Sequence, residues 1–400
     1  MIVVSVASGT SADGLDVGVV DLHLDDDGVV EVQVVDTWTV DWPPGLRDRL
    51  LALLPPADVT ARELAMVDTA VGQAVADTAT DAVRVAESRG TQRPELVVSP
   101  GQTVHHEVVG DQCLGTLQVG QPAWVAEATG LPVVSDLRAT DVAAGGHGAP
   151  LAGVLDGLWL AGEGGPRVAL NLGGIANVTV VGERGAEAAW DTGPANCLLD
   201  VASMRATGGR QAHDPDGALA RAGQVHPDLL AALLEHPYFA LDPPKSTGRE
   251  TFSAEYLDRV LEEFGELSWV DVMATLVELT AVTVADAVLP YAPTEVVASG
   301  GGTANPTLVA ALARRLGGTP LRLSDELGLP SRGKEAVLWA LLGFLTWYGV
   351  PRTTGAHPAR LLGRISPGAL PLALPPPAAV TPTALRVRAS EVYVGGRPVP

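Results

Sequence analysis

Runs of apolar residues at the start of the chain predict three strands. The segments Ile2–Ala7, Leu15–Leu24 and Val29–Val40 are rich in β-branched residues, and turns of small and acidic residues separate them. Strands joined by tight turns usually lie side by side and run in opposite directions. The opening pattern therefore predicts an antiparallel three-stranded meander.

Beyond the meander, short β-branched runs alternate with longer stretches in which apolar residues recur with helical spacing. This alternation predicts a mixed α/β chain as far as residue 350. Further strands are predicted at 96–99, 132–135, 168–172, 176–181, 295–298 and 321–323. Helices are predicted at 46–54, 61–88, 122–129, 151–161, 196–207, 226–234, 254–264, 270–288, 305–316 and 334–347.

A strand, a turn of small residues and a second strand occur twice, first from Ile2 and again from Val168. This weak internal repeat indicates two α/β lobes that would face a nucleotide between them. We predict a first lobe from residues 1–137 with part of the C-terminal segment, and a second from 138–350. The remaining residues, 351–400, are rich in Pro and Gly, and the alternation over 384–399 fits either an edge strand or a loose tail.

Acidic residues dominate the charge of the chain. Its 26 Lys and Arg against 47 Asp and Glu give a formal net charge of −21, which argues against nucleic-acid and anionic-membrane partners. The longest apolar stretch contains Asp271, Glu278 and Asp286, so it predicts a buried helix rather than a membrane span. The two cysteines, Cys113 and Cys197, are too few for a disulfide framework and favour a cytoplasmic protein.

The first candidate site is the turn that follows the first predicted strand. It consists of Gly9, Thr10, Ser11, Ala12, Asp13, Gly14, Leu15 and Asp16. Small residues allow backbone N–H groups to converge on phosphate oxygens, and hydroxyls add donors. Carboxylates such as those of Asp13 and Asp16 hold metal ions directly or through water. The alternative interpretation is an ordinary hairpin turn.

Two later turns have similar chemistry. Gly173, Gly174 and Asn177 belong to a turn between two predicted strands, whereas Gly300, Gly301, Gly302 and Asn305 follow a strand and open a helix. Glycines let the backbone approach a ligand closely, and a helix N-terminus favours negative charge. Each turn alone is a weak signal. Three of them in one chain predict a nucleotide site.

Charged residues at strand ends and in loops supply candidates for the chemistry. Asp191 stands between a predicted strand and a helix, where it is either a general base or a helix cap. Arg138 has acidic neighbours at 136 and 141, so it forms either a structural ion pair or a fork for an anionic substrate. The polar segment 242–250 is either a lid or a rigid surface loop.

Residues 328–335 nearly match a phosphate-binding P-loop, but Glu335 stands where a hydroxyl must reach the magnesium ion. This mismatch argues against a P-loop NTPase. It favours a helix that begins with an acidic first turn.

Together and in this order, these segments resemble the anhydro-N-acetylmuramic acid kinases, which are grouped with sugar kinases, actin and heat-shock ATPases. The matching stretches are SGTSADGLDVGVVDL (8–22), GQTVHH (101–106), LQVGQPAWVAEATGLPVVSDLRATDVAAGGHGAPL (117–151), NLGGIANVT (171–179), DTGPANCLLD (191–200), DPPKSTGRE (242–250), SGGGTANPTL (299–308) and GLPSRGKEA (328–336). They extend over nearly the whole chain, as far as about residue 367. The resemblance implies two lobes of ribonuclease-H-like, actin-like ATPase topology with a central nucleotide cleft.

The resemblance also implies a reaction and a homodimer. Members of this family hydrolyse the 1,6-anhydro bond of anhydro-N-acetylmuramic acid while they phosphorylate O6 with ATP and Mg²⁺, in the recycling of cell-wall peptidoglycan. By resemblance, Asp191 activates the attacking water, and residues 9–16 contact the ATP phosphates. Gly173, Gly174 and Asn177 would form the second phosphate contact, and the turn at 300–305 would lie beside the adenosine.

The remaining implied roles concern the sugar and the metal. Arg138 is the candidate for its lactyl carboxylate, Gln102 and Glu335 are candidates for its hydroxyls or its orientation, and Asp13 is the candidate for Mg²⁺. The chain departs from the usual family pattern at Pro100, His147 and Ala195, where His, Gln and Gly are usual. Two alternatives stay open: a kinase of a related anhydrosugar such as levoglucosan, and a nucleotide-binding regulator without sugar chemistry.

Overall fold

The structure is a computed structural model that describes residues 1–9, 12–54, 57–109, 112–352 and 358–388, together with the backbone of 392–394 and 397–399. The chain forms two compact units, one made of Met1–Trp159 with Gly333–Pro400 and the other of Leu160–Arg332. Both units contain strands and helices, which confirms the predicted mixed α/β class.

The strands, in chain order, are β1 Ile2–Ala7, β2 Leu15–Leu24, β3 Val29–Val40, β4 Leu96–Ser99, β5 Gln102–Val109, β6 Gln112–Val119, β7 Val133–Ser135, β8 Arg167–Leu172, β9 Ile175–Gly182, β10 Gly185–Pro194, β11 Glu295–Ser299, β12 Leu321–Leu323, β13 Arg364–Ser366, β14 Ala384–Val387, β15 Val392–Val394 and β16 Arg397–Val399. The helices are α1 Leu46–Leu51, α2 Ala61–Ser88, α3 Pro122–Thr129, α4 Ala139–Ala143, α5 Ala152–Leu160, α6 Asn196–Ala206, α7 Ala218–Ala222, α8 Pro227–Leu234, α9 Ala254–Leu261, α10 Trp269–Val288, α11 Pro306–Arg315 and α12 Lys334–Trp347.

The first unit is built on a seven-stranded sheet of order β13-β7-β4-β1-β2-β3-β14. Strands β1, β2 and β3 form the predicted antiparallel meander. Strands β4 and β7 then continue the sheet from β1 in parallel. At the opposite edge β14 pairs in parallel with β3, so the C-terminal segment contributes an edge strand.

Helices α2 and α12 pack on this sheet and explain its burial. Helix α2 begins with a capping box formed by Thr60 and Glu63, which have the side chains and the spacing that this motif requires. Helix α12 is apolar on nearly all sides and buried along most of its length. A side chain at Gly343 would overlap Val98 of β4, so the glycine permits close contact between helix and sheet.

The second unit repeats this arrangement in a five-stranded sheet of order β10-β9-β8-β11-β12. Strands β8, β9 and β10 form an antiparallel meander, and β11 and β12 extend it in parallel from β8. Each sheet therefore contains a three-stranded meander followed by two parallel strands. The internal repeat suggested by the sequence is a repeat of sheet topology.

Helix α10 forms much of the core of the second unit. It is the one helix in the described part of the chain that is long and apolar enough to cross a membrane, but 78% of its apolar window is buried inside the protein. Its neighbours include α6, α7, α8 and α11. The prediction of a buried core helix is confirmed.

The boundaries of the units differ from the predicted ones. The predicted limits at 137/138 and 350/351 fall inside the first unit, because α4, α5 and α12 belong to it. Apolar periodicity predicted α5 and α12 but not α4, and it carries no information about which sheet a helix covers. The hairpin of β5 and β6 was also not predicted, since most of its side chains are exposed and give no alternating pattern.

Candidate active site

Asp191 lies within β10, opposite Asn177 of β9. The following helix, α6, begins only at Asn196 and has Ala195 as its N-cap residue, with no capping side chain. The interpretation of Asp191 as a helix cap is therefore wrong. Its carboxylate is instead bound by residues of the distant polar segment 242–250.

Three consecutive residues of that segment hold Asp191, and we call Lys245, Ser246 and Thr247 the carboxylate clamp. The Ser246 hydroxyl and the Thr247 N–H both donate to Oδ2 of Asp191, each at 2.9 Å. The Asp191 N–H donates to the Lys245 carbonyl at 3.1 Å. From the other side, the Tyr238 hydroxyl donates to the Asp191 carbonyl at 2.6 Å. These contacts fix both the backbone and the carboxylate.

The environment of Asp191 has opposing effects on its acidity. Burial raises the pKa of the carboxyl, the Thr247 N–H and the Ser246 hydroxyl lower it, and the charge of Glu250 raises it again, with a raised pKa as the result. A carboxyl whose pKa is raised in this way is a stronger base than an exposed one. It fits the chemistry of a general base.

The predicted phosphate turn at 173–174 packs against the start of α6. The N–H groups of Ala195 and Cys197 donate to the Gly174 carbonyl, and that of Asn196 donates to the Gly173 carbonyl. These N–H groups of the helix start are therefore occupied by the turn. A phosphate at this turn would depend on the N–H groups of the turn itself and on nearby cations.

Arg249 supplies such a cation. Its Nε atom lies 3.3 Å from the position that a Cβ of residue 174 would occupy, and its guanidinium is 3.9 Å from the Asp200 carboxylate. Arg249 was not among the residues chosen from the sequence, although it belongs to the polar segment 242–250. The segment is rich in cations for so acidic a chain, and this composition was the sequence signal that could have identified Arg249.

The turn at 300–305 lies against the turn that follows β8. A Cβ at Gly300 would be 2.8 Å from the Leu172 carbonyl oxygen, and one at Gly302 would be 2.7 Å from the Leu172 Cβ. Gly300 also has a φ of 90°, which favours glycine. The Oδ1 atom of Asn305 caps α11 by accepting from Leu308 N at 3.1 Å. The structure thus brings Gly300–Gly302 next to the 171–174 turn.

The first predicted phosphate turn belongs to the first unit, and Thr10 and Ser11 lie outside the described residues. The Ala12 N–H donates to the Gly9 carbonyl at 3.0 Å. Gly14 packs tightly, because a Cβ there would be 2.9 Å from the Val40 carbonyl oxygen. Leu15 is a core residue, so only its backbone is available to a ligand.

The acidic residues of this turn have different partners. Asp13 forms an ion pair with Arg47 at 2.9 Å, whereas Oδ1 of Asp16 accepts a hydrogen bond from the Thr39 hydroxyl at 2.7 Å. Burial raises the pKa of Asp16, and the charge of Asp13 adds to the effect. Asp16 is therefore the better candidate for holding a cation beside a phosphate.

Glu335 stands in the first turn of α12, as predicted. Partial desolvation raises the pKa of its carboxyl, and the charge of Asp16 raises it further. A hydrogen bond from Trp339 Nε1 at 3.4 Å and the charge of Arg138 lower the pKa of Glu335. The carboxyl of Glu335 is therefore within electrostatic range of both Asp16 and Arg138 in the first unit.

Arg138 is held by its surroundings rather than free to move. Its Nη1 donates to the Gly148 carbonyl at 2.7 Å, and its guanidinium lies 5.6 Å from the centre of the Trp339 ring. Asp136 forms an ion pair with Arg364, and Asp141 accepts from Gly148 N at 2.7 Å. The two acidic neighbours seen in the sequence thus have other partners, and the guanidinium is prepositioned for a further anion.

His106 lies in the electrostatic field of Arg138. The charges of Arg138, His147 and His105 lower the pKa of His106, after the larger effect of desolvation. Its Nδ1 atom is 3.0 Å from the Thr116 hydroxyl. A neutral imidazole beside a guanidinium is suited to hydrogen bonding with a sugar. His106 was not among the candidates chosen from the sequence.

Gln102 connects β5 to the first phosphate turn. Its Nε2 donates to the Gly9 carbonyl at 3.2 Å and to the Thr103 carbonyl at 3.1 Å. The side chain is buried, and its Oε1 has no hydrogen-bond partner among the described residues. A side chain held in this way is better suited to orienting the turn than to making several contacts with a ligand.

A family model described as anhydro-N-acetylmuramic acid kinase matches residues 1–368. The chain belongs to the anhydro-N-acetylmuramic acid kinase family. Relatives with that name from Streptomyces avermitilis and Streptomyces coelicolor are 50% and 51% identical to it, covering 96% and 97% of this chain and 99% of each relative. A ROK-family glucokinase from Streptomyces griseus, solved with glucose and AMPPNP, has a TM-score of 0.34 and 15% identity over 85% of this chain and 98% of its own.

Membership of the anhydro-N-acetylmuramic acid kinase family makes the chain a kinase, as predicted. The structure shows the surroundings of two residues that depart from the usual family pattern. Ala195 is buried and is the N-cap residue of α6. His147 lies close enough to His106 to affect its pKa, so this substitution falls among the candidate sugar residues.

A kinase of this family is expected to use Mg²⁺ with its nucleotide. No group of three or more His, Cys, Asp or Glu side chains in the described part of the chain is placed to hold a metal alone. Magnesium in nucleotide sites takes most of its ligands from phosphates and water and needs only one or two carboxylates. The carboxylates of Asp13 and Asp16 fit that requirement, although Arg47 already occupies Asp13.

Proposed function

We propose that this chain converts 1,6-anhydro-N-acetylmuramic acid, ATP and water into N-acetylmuramic acid 6-phosphate and ADP. The observation that carries the proposal is the carboxylate of Asp191, which is held by the clamp and has a raised pKa. Family membership supplies the substrates. The cell process is the recycling of peptidoglycan, and the site of action is the cytoplasm.

In the proposed reaction, Asp191 accepts a proton from the water that attacks the anomeric carbon. The new bond joins the water oxygen to that carbon, and the bond from the anomeric carbon to O6 breaks. The electron pair of that bond stays on O6, which then attacks the γ-phosphorus, and ADP leaves. A single base in this position thus serves hydrolysis and phosphoryl transfer together.

The nucleotide contacts follow the three glycine-containing turns. Residues 9–16 would bind phosphates through backbone N–H groups, Gly173, Gly174 and Asn177 would bind phosphate with Arg249 nearby, and the turn at 300–305 would contact the adenosine. When bound, Mg²⁺ neutralises charge on the phosphates, and Asp13 or Asp16 would hold it.

The proposed substrate is tested by incubating the purified chain with ATP and anhydro-N-acetylmuramic acid and measuring products by mass spectrometry. The expected product is heavier than the substrate by one water and one phosphoryl group, and it forms only when ATP is present. Turnover of levoglucosan but not of the muramic sugar would favour the related sugar kinase. ATP turnover that is independent of both sugars would favour the regulator. Light scattering tests the homodimer that we also propose.

Arg138→Gln should raise KM for anhydro-N-acetylmuramic acid about 10- to 100-fold, because one charge-assisted contact to the lactyl carboxylate contributes about 1.5–3 kcal/mol. The KM for ATP should change little. Arg138→Lys keeps the charge but loses the planar fork, so it should recover only part of the affinity. Equal loss of affinity for levoglucosan, which has no lactyl group, would contradict the assignment.

A further inference from the structure

We propose that the carboxylate clamp positions the base of the reaction, with Ser246 and Thr247 fixing Oδ2 of Asp191 so that Oδ1 accepts the proton from water. This inference rests on the proposed function and extends it. It gives segment 242–250 a role in the chemistry, in place of the lid or the surface loop that its sequence suggested.

Both donors of the clamp converge on one carboxylate oxygen. The Ser246 hydroxyl and the Thr247 N–H are each 2.9 Å from Oδ2. Residues 160–332 are all described, and none of them donates a hydrogen bond to Oδ1. A carboxylate with one oxygen occupied can offer only the other to water. The contacts therefore determine which carboxylate oxygen accepts the proton and in which direction that oxygen points.

The backbone of Asp191 is fixed on both sides. Its N–H donates to the Lys245 carbonyl at 3.1 Å, and its carbonyl accepts from the Tyr238 hydroxyl at 2.6 Å. The Lys245 ammonium donates to the Tyr238 carbonyl at 3.2 Å and lies 4.8 Å from the centre of the Tyr238 ring. Tyr238 and the clamp thus hold each other as well as Asp191, which reduces the motion of the carboxylate.

The clamp also controls the protonation state of the base. Burial and the charge of Glu250 favour the neutral acid, while the two donors favour the carboxylate. The other titratable groups at this position are Tyr238, whose pKa is raised by burial and by Asp191, and Lys245, whose pKa is lowered by burial. Loss of one donor must therefore raise the pKa of Asp191. Since a base works only when ionised, activity is lost as pH falls through that pKa.

The test is Ser246→Ala in the full-length chain. We expect kcat near neutral pH to fall about tenfold, the equivalent of about 1.4 kcal/mol for one hydrogen bond to a charged group. The acidic limb of the pH profile of kcat should move to higher pH. The KM for ATP and for the sugar should stay near the wild-type values, because Ser246 is not assigned to either substrate.

Three further variants separate positioning from general damage. Ser246→Thr retains the hydroxyl and should recover the wild-type profile. Ser268→Ala removes an exposed serine whose side chain makes no capping bond and should have no effect. Tyr238→Phe removes the bond to the Asp191 carbonyl but leaves both clamp donors, so it should lower kcat without moving the acidic limb.

A carboxyl titration by NMR gives a result that does not depend on turnover. The signal of Asp191, assigned by its loss in Asp191→Asn, should titrate at higher pH in Ser246→Ala than in the wild type. An unchanged titration together with an unchanged kcat profile would overturn the role of the clamp. If the titration moves but the wild type does not act on the anhydrosugar, the clamp stands and the proposed function fails.

Discussion

Asparagine in place of Asp191 should lower kcat by roughly two to four orders of magnitude, the range expected when a general base is lost. The substitution preserves the shape of the side chain, and its amide oxygen can still accept from Ser246 and Thr247. The amide nitrogen then occupies the position of Oδ1 and cannot take a proton from water. KM for ATP and sugar should change little, because the lost interaction belongs to the transition state.

Thermal melting and one matched variant control this result. Asp228→Asn changes an exposed carboxylate in the first turn of α8 and should leave kcat unaffected. The melting temperature of Asp191→Asn should stay close to that of the wild type, since the clamp contacts remain. Turnover within a few-fold of the wild type would remove Asp191 from the mechanism.

Local sequence signals predicted the elements of the fold well. A capping box of Thr60 and Glu63 begins α2, and Gly130 ends α3 in a left-handed conformation. The meander β1–β3 followed from short turns between β-branched runs. In each case, neighbouring residues in the chain supply the physical cause.

The division into units depends on contacts between distant residues, and here the predicted boundaries differ from those of the two compact units. Helix α12 is apolar nearly all round, so its sequence does not reveal a preferred face. What places it on the first sheet is close packing, such as Gly343 against Val98 and the Ser5 hydroxyl donating to the Ala336 carbonyl at 2.7 Å. Such complementarity is visible only in three dimensions.

The partners of the candidate site residues also depend on contacts between residues that are distant in the chain. Asp191 was selected as a candidate because α/β enzymes commonly place catalytic carboxylates at strand ends. Its partner Ser246 is 55 residues away in the chain, so no spacing rule connects them. For Arg138, the sequence left open an ion pair with its acidic neighbours or a fork for an anionic substrate, and it gave no sign of the contacts with the Gly148 carbonyl and the Trp339 ring. Spacing identifies candidate residues, but the fold determines their partners.

Removal of Asp156 should destabilise the first unit by about 3–5 kcal/mol, because it leaves a buried ammonium without its counter-charge. Asp156 of α5 is 2% exposed, and its Oδ1 is 2.5 Å from the Nζ of Lys334, which is 8% exposed at the start of α12. The Lys334 ammonium also lies 5.6 Å from the centre of the Trp159 ring. Urea unfolding of Asp156→Ala, followed by circular dichroism, measures the loss.

The double variant Asp156→Ala/Lys334→Met should be considerably more stable than Asp156→Ala, because the isolated charge is gone and methionine fills most of the lysine volume. An exposed pair provides the comparison: Asp81→Ala breaks the ion pair with Arg84 on α2 and should cost no more than about 1 kcal/mol. Lys334 directly precedes Glu335, so Asp156→Ala should also raise KM for the sugar more than KM for ATP. If Asp156→Ala and Asp81→Ala lose similar stability, the buried pair does not anchor the start of α12.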